Sequence, residues 1–208
     1  MSRTAARSLS RGLLFLAAAA ACAAAWAWAK PPVPESVTPA ASESTARKLH
    51  QIREAHETGG SFGTVRISEQ EANSYLAYDL AYAIPAGVSD VSLQFQPGRV
   101  SGTTLVDFDR LKEGLQTPPH PIADYFLRGV HRVGVEGSAR GADGTGEFLL
   151  ERVLLDGVEL PQIVIDYLIE QYVRPSYPNA AINRAFPLPF SIDGFRAGTG
   201  YVALTGKQ

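Results

Sequence analysis

The pattern of apolar and polar positions is clearest between residues 67 and 108, where a helical period is followed by a strand period. Ser68 and Glu71 have the spacing of a capping box, in which each side chain satisfies a backbone N–H at the start of a helix. Pro85 and Gly87 are expected to end this helix, because proline lacks the amide hydrogen. Helical spacing of the apolar residues predicts one buried stripe, made of Ala72, Tyr75, Leu76, Leu80 and Ala83.

A two-stranded hairpin is predicted directly after this helix. Apolar residues alternate with polar ones over residues 91–96, which is the period of a strand with one wet face. Pro97-Gly98 then supplies a turn, because proline presets the backbone at the second position and glycine accepts a positive φ at the third. The alternation resumes over residues 100–108, which predicts the return strand.

Strand patterns also recur in the second half of the chain. Asp143-Gly144 is a strong hairpin turn between alternating segments at residues 133–140 and 146–155. Shorter alternating segments at residues 188–192 and 201–205 predict two further strands.

Two more helices are expected. Pro161 opens a helix to about Val173, and its apolar residues cover so much of the circumference that the helix is predicted to be buried or to contact another apolar surface. Residues 42–58 form a polar helix candidate whose only sizeable apolar residues are Leu49 and Ile52, which favours a position on the surface. The pattern as a whole predicts an α+β fold, a curved antiparallel sheet of five to seven strands with two main helices packed on one face.

The N-terminal residues 1–29 have the features of a secretory signal peptide. Three arginines precede an uncharged stretch at residues 12–29, and Ala27-Trp28-Ala29 is a small-x-small cleavage site before Lys30. Two alternatives stay open: an uncleaved membrane anchor formed by residues 12–29, and lipidation at Cys22. Each of the three interpretations places the protein outside the cytoplasm, in the periplasm or the extracellular space. An uncleaved anchor would also hold it at the inner membrane.

Residues 30–41 are rich in proline, serine and alanine and are interpreted as a linker, which leaves residues 42–208 as a single domain. Removing Arg3, Arg7 and Arg11 with the signal peptide lowers Lys+Arg from 19 to 16 against 21 Asp+Glu, a net charge of −5. An acidic domain without a basic stripe argues against nucleic acid as a partner. Cys22 is the only cysteine, so the domain has neither a disulfide nor a thiol nucleophile.

Motifs for catalysis or metal binding are weak in this sequence. Ser61 lies in a G-x-S-x-G segment, but that motif needs a strand before it and a helix after it, and the reverse is expected here. No histidine pair has metal-binding spacing. Asp107 and Asp109 are better explained as a helix cap than as paired carboxylates. Neither a cofactor, a metal nor a catalytic residue is therefore predicted.

The aromatic residues suggest a binding site instead. They are numerous for a core of this size, and they are consistent either with ordinary packing or with an elongated apolar cavity between sheet and helices. Such a cavity would bind a lipid chain through burial of its methylene groups. The residues predicted to line the site come from the two main helices: Tyr75, Tyr82, Val164, Tyr167, Leu168 and Tyr172.

The opening I-S-E-Q-E-A-N-S-Y-L at residues 67–76, followed by G-V-S-D-V-S-L-Q-F-Q-P-G-R-V at residues 87–100, resembles small exported bacterial proteins of the YpmS-like and LmeA-like kind. In those proteins a similar helix precedes a hairpin. The resemblance covers about 40 residues, and the families are similar to tubular lipid-binding folds. It implies binding of lipid in the cell envelope and no catalytic residues.

The leading hypothesis is therefore a non-catalytic exported protein that binds a lipid or another apolar ligand between its helices and its sheet. The alternative is a membrane-tethered envelope scaffold that binds a protein partner through an edge strand. A hydrolase that uses Ser61 is a third hypothesis.

Overall fold

A computed structural model describes residues 37–113, 127–175, 177 and 182–207. The predicted signal peptide, Cys22 and the first part of the predicted linker lie outside the described residues. Within the described ranges the chain forms four α-helices and a nine-stranded antiparallel sheet, which confirms the predicted α+β fold.

The helices are α1 (Pro39–Glu57), α2 (Glu69–Tyr78), α3 (Phe108–Lys112) and α4 (Gln162–Leu168). A 3₁₀ turn (Ala81–Ala83) follows α2, and a π-helical turn (Ile169–Val173) continues α4. The strands are β1 (Thr64–Ser68), β2 (Val88–Gln96), β3 (Arg99–Asp107), β4 (Val130–Ala142), β5 (Thr145–Leu155), β6 (Val158–Glu159), β7 (Ala185–Pro187), β8 (Ile192–Gly198) and β9 (Tyr201–Gly206).

The long strand β4 is the centre of the sheet. The strand order is β1-β9-β8-β4-β3-β2, and β5 pairs with the other edge of β4. Seven longer strands agree with the predicted number, while β6 and β7 add two short strands that pair only with β5. Both predicted hairpins, β2–β3 and β4–β5, are confirmed.

One face of the sheet is polar and carries ion pairs between neighbouring strands. Glu136 lies directly opposite Arg152 and accepts a hydrogen bond of 3.0 Å from its Nε. Arg140 and Glu147 form a similar pair across β4 and β5 at 2.6 Å. The alternate residues of the same strands point to the other face, where Val135, Val153 and their neighbours form the core with the helices.

The longest helix, α1, contributes more to the core than its polar sequence suggested. It begins at Pro39, inside the predicted linker, because Thr38 caps it by accepting a hydrogen bond of 3.2 Å from the N–H of Ala41. Leu49 and Ile52 belong to the core, and Ile52 is only 1% exposed. The expected surface position is therefore wrong for this face of the helix.

The predicted strand at residues 188–192 is also wrong. Phe190 and Ser191 both have φ of 55°, a left-handed conformation that interrupts a strand. The chain turns there and enters β8 only at Ile192. The sequence still alternates between apolar and polar side chains here. That alternation does not show that the backbone of Phe190 and Ser191 is left-handed.

Candidate functional site

A cavity of about 190 Å³ lies between the core face of the sheet and the helices α2 and α4. Strands β2 to β5 form its floor, and the end of α2 with the following turn forms one wall. Helix α4 and its π-helical turn form the opposite wall, together with α3. Seven of the described lining residues are valines: Val88, Val91, Val106, Val133, Val135, Val153 and Val173.

The valines explain why a void remains at this place. Branched side chains suit strands, yet they are short, so they do not reach across from the floor to the helices. Leu76 approaches from α2, Leu80 from the start of the following 3₁₀ turn, and Ile165 from α4. Because protein interiors are normally close-packed, a void of this size is a distinct feature of the fold.

The π-helical turn after α4 brings three further side chains to the cavity. Ile169, Tyr172 and Val173 all line it, and Tyr172 also packs edge-to-face on Phe108 with the ring centres 5.4 Å apart. Short π-helical segments within α-helices occur often at functional sites. This turn thus shapes one wall of the cavity.

A hydrogen bond joins the two walls. The hydroxyl of Tyr177 donates to the carbonyl oxygen of Ala83 at 3.0 Å, and both residues line the cavity. Burial raises the pKa of Tyr177 above its ordinary value, so the hydroxyl stays protonated and able to donate. The contact links the turn after α2 to the segment after α4.

Helix α2 is held against the edge of β2 by its own side chains. The amide of Asn73 donates to the carbonyl oxygen of Leu93 at 2.9 Å and accepts from the N–H of Leu93 at 2.7 Å. Glu69 accepts from the N–H of Phe95 at 2.9 Å. Asn73 and Glu69 thereby occupy backbone groups that a neighbouring strand would otherwise use.

A second asparagine performs the same role at β5. Asn183 accepts a hydrogen bond from the N–H of Leu150 at 2.7 Å, and its own N–H donates to the carbonyl oxygen of Phe148 at 3.0 Å. The short strands β6 and β7 pair with the rest of this edge. The outer edges of β2 and β5 are therefore both engaged within the chain.

The predicted capping box is present and extends into a polar contact between α1 and α2. Glu71 accepts from the N–H of Ser68 at 2.8 Å, from Ser44 at 2.7 Å and from Lys48 at 2.6 Å. Burial raises the pKa of the Glu71 carboxyl, but hydrogen bonds from Lys48, Ser44 and Ser68 outweigh that effect and hold it below its ordinary value. Thr45 adds a hydrogen bond of 3.0 Å to the carbonyl oxygen of Glu71.

The six residues predicted to line the site are only partly brought together. Leu168 and Tyr172 lie on the cavity wall. Tyr75 packs against the main core, and Tyr167 against the smaller cluster around Phe108. Neither these two residues nor Val164 is among the cavity-lining residues.

Tyr82 was predicted to line the cavity, but it is not among the lining residues and is 75% exposed. Helix α2 ends at Tyr78, and the 3₁₀ turn that follows changes the direction in which Tyr82 points. The valines of the sheet were not among the predicted lining residues, although Val133 and Val135 lie two residues apart on β4 and share a face. Their common face is the signal that could have identified them.

Among the described residues, no histidine forms a hydrogen bond with Ser61. Its hydroxyl donates to the carbonyl oxygen of Lys207. His56 instead lies 2.7 Å from the hydroxyl of Ser191, on the exposed surface and away from the cavity. Asp107 caps α3 by accepting hydrogen bonds from Asp109 and Arg110, which confirms the predicted helix cap.

In the part of the chain that the structure describes, no group of three or more acidic, histidine or cysteine side chains is arranged to hold a metal ion. None of the helices in those ranges combines the length and the apolar character that crossing a bilayer requires. No protein-family model matches the chain, and no curated protein is significantly similar to it.

Proposed function

We propose that this chain is a non-catalytic exported protein of the cell envelope that binds a lipid chain or another apolar ligand between its helices and its sheet. The observation that carries the proposal is the cavity of about 190 Å³, whose described walls are almost wholly apolar. Apolar pockets with few polar groups are the usual form of a small-molecule binding site.

Energetics support an occupant. The cavity is partly open to solvent, so the apolar side chains of its walls stay in contact with water until a ligand covers them. A ligand that fills it regains contacts and gains about 0.8 kcal/mol for each methylene group removed from water. Binding thus offsets a cost that the empty protein carries.

The outer edges of β2 and β5 do not favour the alternative of an envelope scaffold that binds a partner through a strand. Strand addition needs a row of free backbone N–H and C=O groups. Asn73 occupies those of Leu93, and Asn183 occupies those beside Leu150. The proposed ligand is therefore an apolar molecule, and a strand partner at β2 or β5 is not part of the proposal.

The test is native mass spectrometry of the full chain, purified without detergent from the cells that produce it and then extracted with organic solvent. Apolar material recovered in near-stoichiometric amount supports the proposal and identifies the ligand class. A mass without ligand that stays unchanged after incubation with envelope lipids contradicts it.

Export is part of the same proposal and is supported by the uncharged stretch at residues 12–29. N-terminal sequencing of protein recovered from outside the cytoplasm tests it separately. A start at Lys30 supports cleavage of a signal peptide, whereas an intact start at Met1 or Ser2 contradicts cleavage.

A further inference from the structure

The walls of the cavity offer a ligand almost no polar partner. None of the described lining residues is charged, and only Thr104, Tyr172 and Tyr177 carry a hydroxyl group. Thr104 donates to the carbonyl oxygen of Ser89 at 2.7 Å, and Tyr177 donates to that of Ala83 at 3.0 Å. The hydrogens of these two hydroxyls are already engaged within the protein.

This chemistry discriminates against polar ligands. A hydroxyl or carboxylate inside the cavity would give up its hydrogen bonds to water and find few replacements, which is unfavourable. A hydrocarbon group forms no hydrogen bonds with water, so it loses none when it enters the cavity. The walls therefore select for apolarity by the penalty that they impose on polar atoms.

The volume limits the size of the buried group. An engineered apolar cavity of about 150 Å³ in another protein stays free of water and accepts benzene. The present cavity, at about 190 Å³, has room for one such ring with a short extension. Drug-sized ligands occupy about 300–1,000 Å³, so two long acyl chains exceed the available space.

We infer that the cavity takes up a single short, uncharged hydrocarbon group, a ring or branched chain of roughly six to eight carbon atoms. It binds this group without hydrogen bonds, so a polar atom on the group itself weakens binding. The inference rests on the proposed function and narrows it, because it separates a small hydrocarbon group from the long chains of a membrane lipid.

The experiment compares benzene, ethylbenzene, hexylbenzene and phenol, and phosphatidylglycerol vesicles, as ligands of the full chain. Binding is followed by methyl NMR, in which the resonances of Val135 and Ile165 report on the cavity. Benzene and ethylbenzene are expected to shift these resonances. Phenol is expected to bind at least about tenfold more weakly than benzene, since its hydroxyl loses hydrogen bonds to water.

Two adjacent leucines supply matched variants. Leu150 lines the cavity, whereas Leu149 lies on the opposite, polar face of β5 and is 38% exposed. Leu150→Phe reduces the space and is expected to weaken ethylbenzene binding at least about tenfold, while Leu149→Phe leaves it unchanged. If Leu150→Phe fails to fold, Val133→Leu serves as a milder filling variant.

The outcomes separate the two proposals. Hexylbenzene or vesicle lipid binding more tightly than ethylbenzene, with the same methyl shifts, overturns the size limit and leaves the proposed function standing. Phenol binding as well as benzene overturns the selection against polar groups. Absence of binding by every probe contradicts both the inference and the proposed function.

Discussion

At the scale of single residues, the side chains of the segment at residues 67–76 have distinct structural roles. Ser68 and Glu71 cap α2, and Leu76 reaches the cavity. Asn73 forms hydrogen bonds with the backbone of Leu93 in β2. The helical period could not predict this contact, because it identifies only apolar positions. The sequence therefore predicted the cap and the burial of Leu76 and Leu80, but neither the end of the helix at Tyr78 nor the polar residue that joins helix to strand.

Replacing Asn73 with alanine is expected to lower the free energy of unfolding by about 2–4 kcal/mol, because it leaves the buried N–H and C=O of Leu93 unsatisfied. Urea unfolding measures the change. Gln96→Ala is the control, since Gln96 lies exposed at the end of the same strand and should change stability by less than about 0.5 kcal/mol. Similar losses in the two variants would exclude a special role for Asn73.

Glu71 should make stability depend on pH. Its folded pKa lies below its ordinary value, so the ionised carboxylate stabilises the fold above the unfolded pKa. That stabilisation is lost as the pH falls through the folded pKa. Glu71→Gln should therefore be less stable than wild type at neutral pH, and the difference should shrink at about pH 3.

Thermal unfolding of both proteins at the two pH values measures this effect. Glu43→Gln is the matched control on α1, because the Glu43 side chain is 74% exposed. A difference between wild type and Glu71→Gln that is the same at both pH values would refute the assigned role of the carboxylate.

At the scale of elements, two helices show where periodicity succeeds and where it fails. The helix after Pro161 was predicted because its apolar residues dominate, but its predicted burial is met only in part, since Ile163 is 79% exposed. Helix α1 was misjudged because its contact with α2 uses small and polar side chains, among them Thr45 and Ser42, which are each 2% exposed. The Thr45 hydroxyl donates a hydrogen bond to the carbonyl oxygen of Glu71, so this buried polar group keeps a hydrogen-bond partner.

The hydrogen bond between Tyr177 and Ala83 joins two elements that were predicted separately. Tyr177→Phe keeps the ring and removes the bond, so it should lower the free energy of unfolding by about 1 kcal/mol. It should also speed ligand release, because the walls of the cavity can separate more easily. Chemical denaturation and the NMR line shapes of bound ethylbenzene measure the two effects.

Tyr82→Phe is the control for this variant. Tyr82 is 75% exposed and does not line the cavity, so neither stability nor release should change. Faster release in Tyr82→Phe, or an unchanged rate in Tyr177→Phe, would show that the bond does not restrain the walls.

At the scale of the whole molecule, the class of fold and a space between helices and sheet were predicted, but most of the residues that line this space were not. Alternating and helical periods identify which faces are apolar, and apolar faces must pack together. A void instead arises where β4, α2 and α4 meet, and it depends on how far valines and leucines reach across the gap. The spacing of residues in the sequence predicts the direction in which a side chain points. It does not predict the distance from that side chain to the one that faces it across the cavity.

The two asparagines at the sheet edges have a consequence for the long-term solubility of the protein. A free strand edge can recruit an identical chain and begin an aggregate. Conversion of the Asn73 amide to a carboxylate would place an oxygen against the carbonyl oxygen of Leu93, where the amide nitrogen now donates. This chemical change would break one of the contacts that hold α2 against the edge of β2, so the shelf life of the folded protein depends on the amide nitrogen of Asn73.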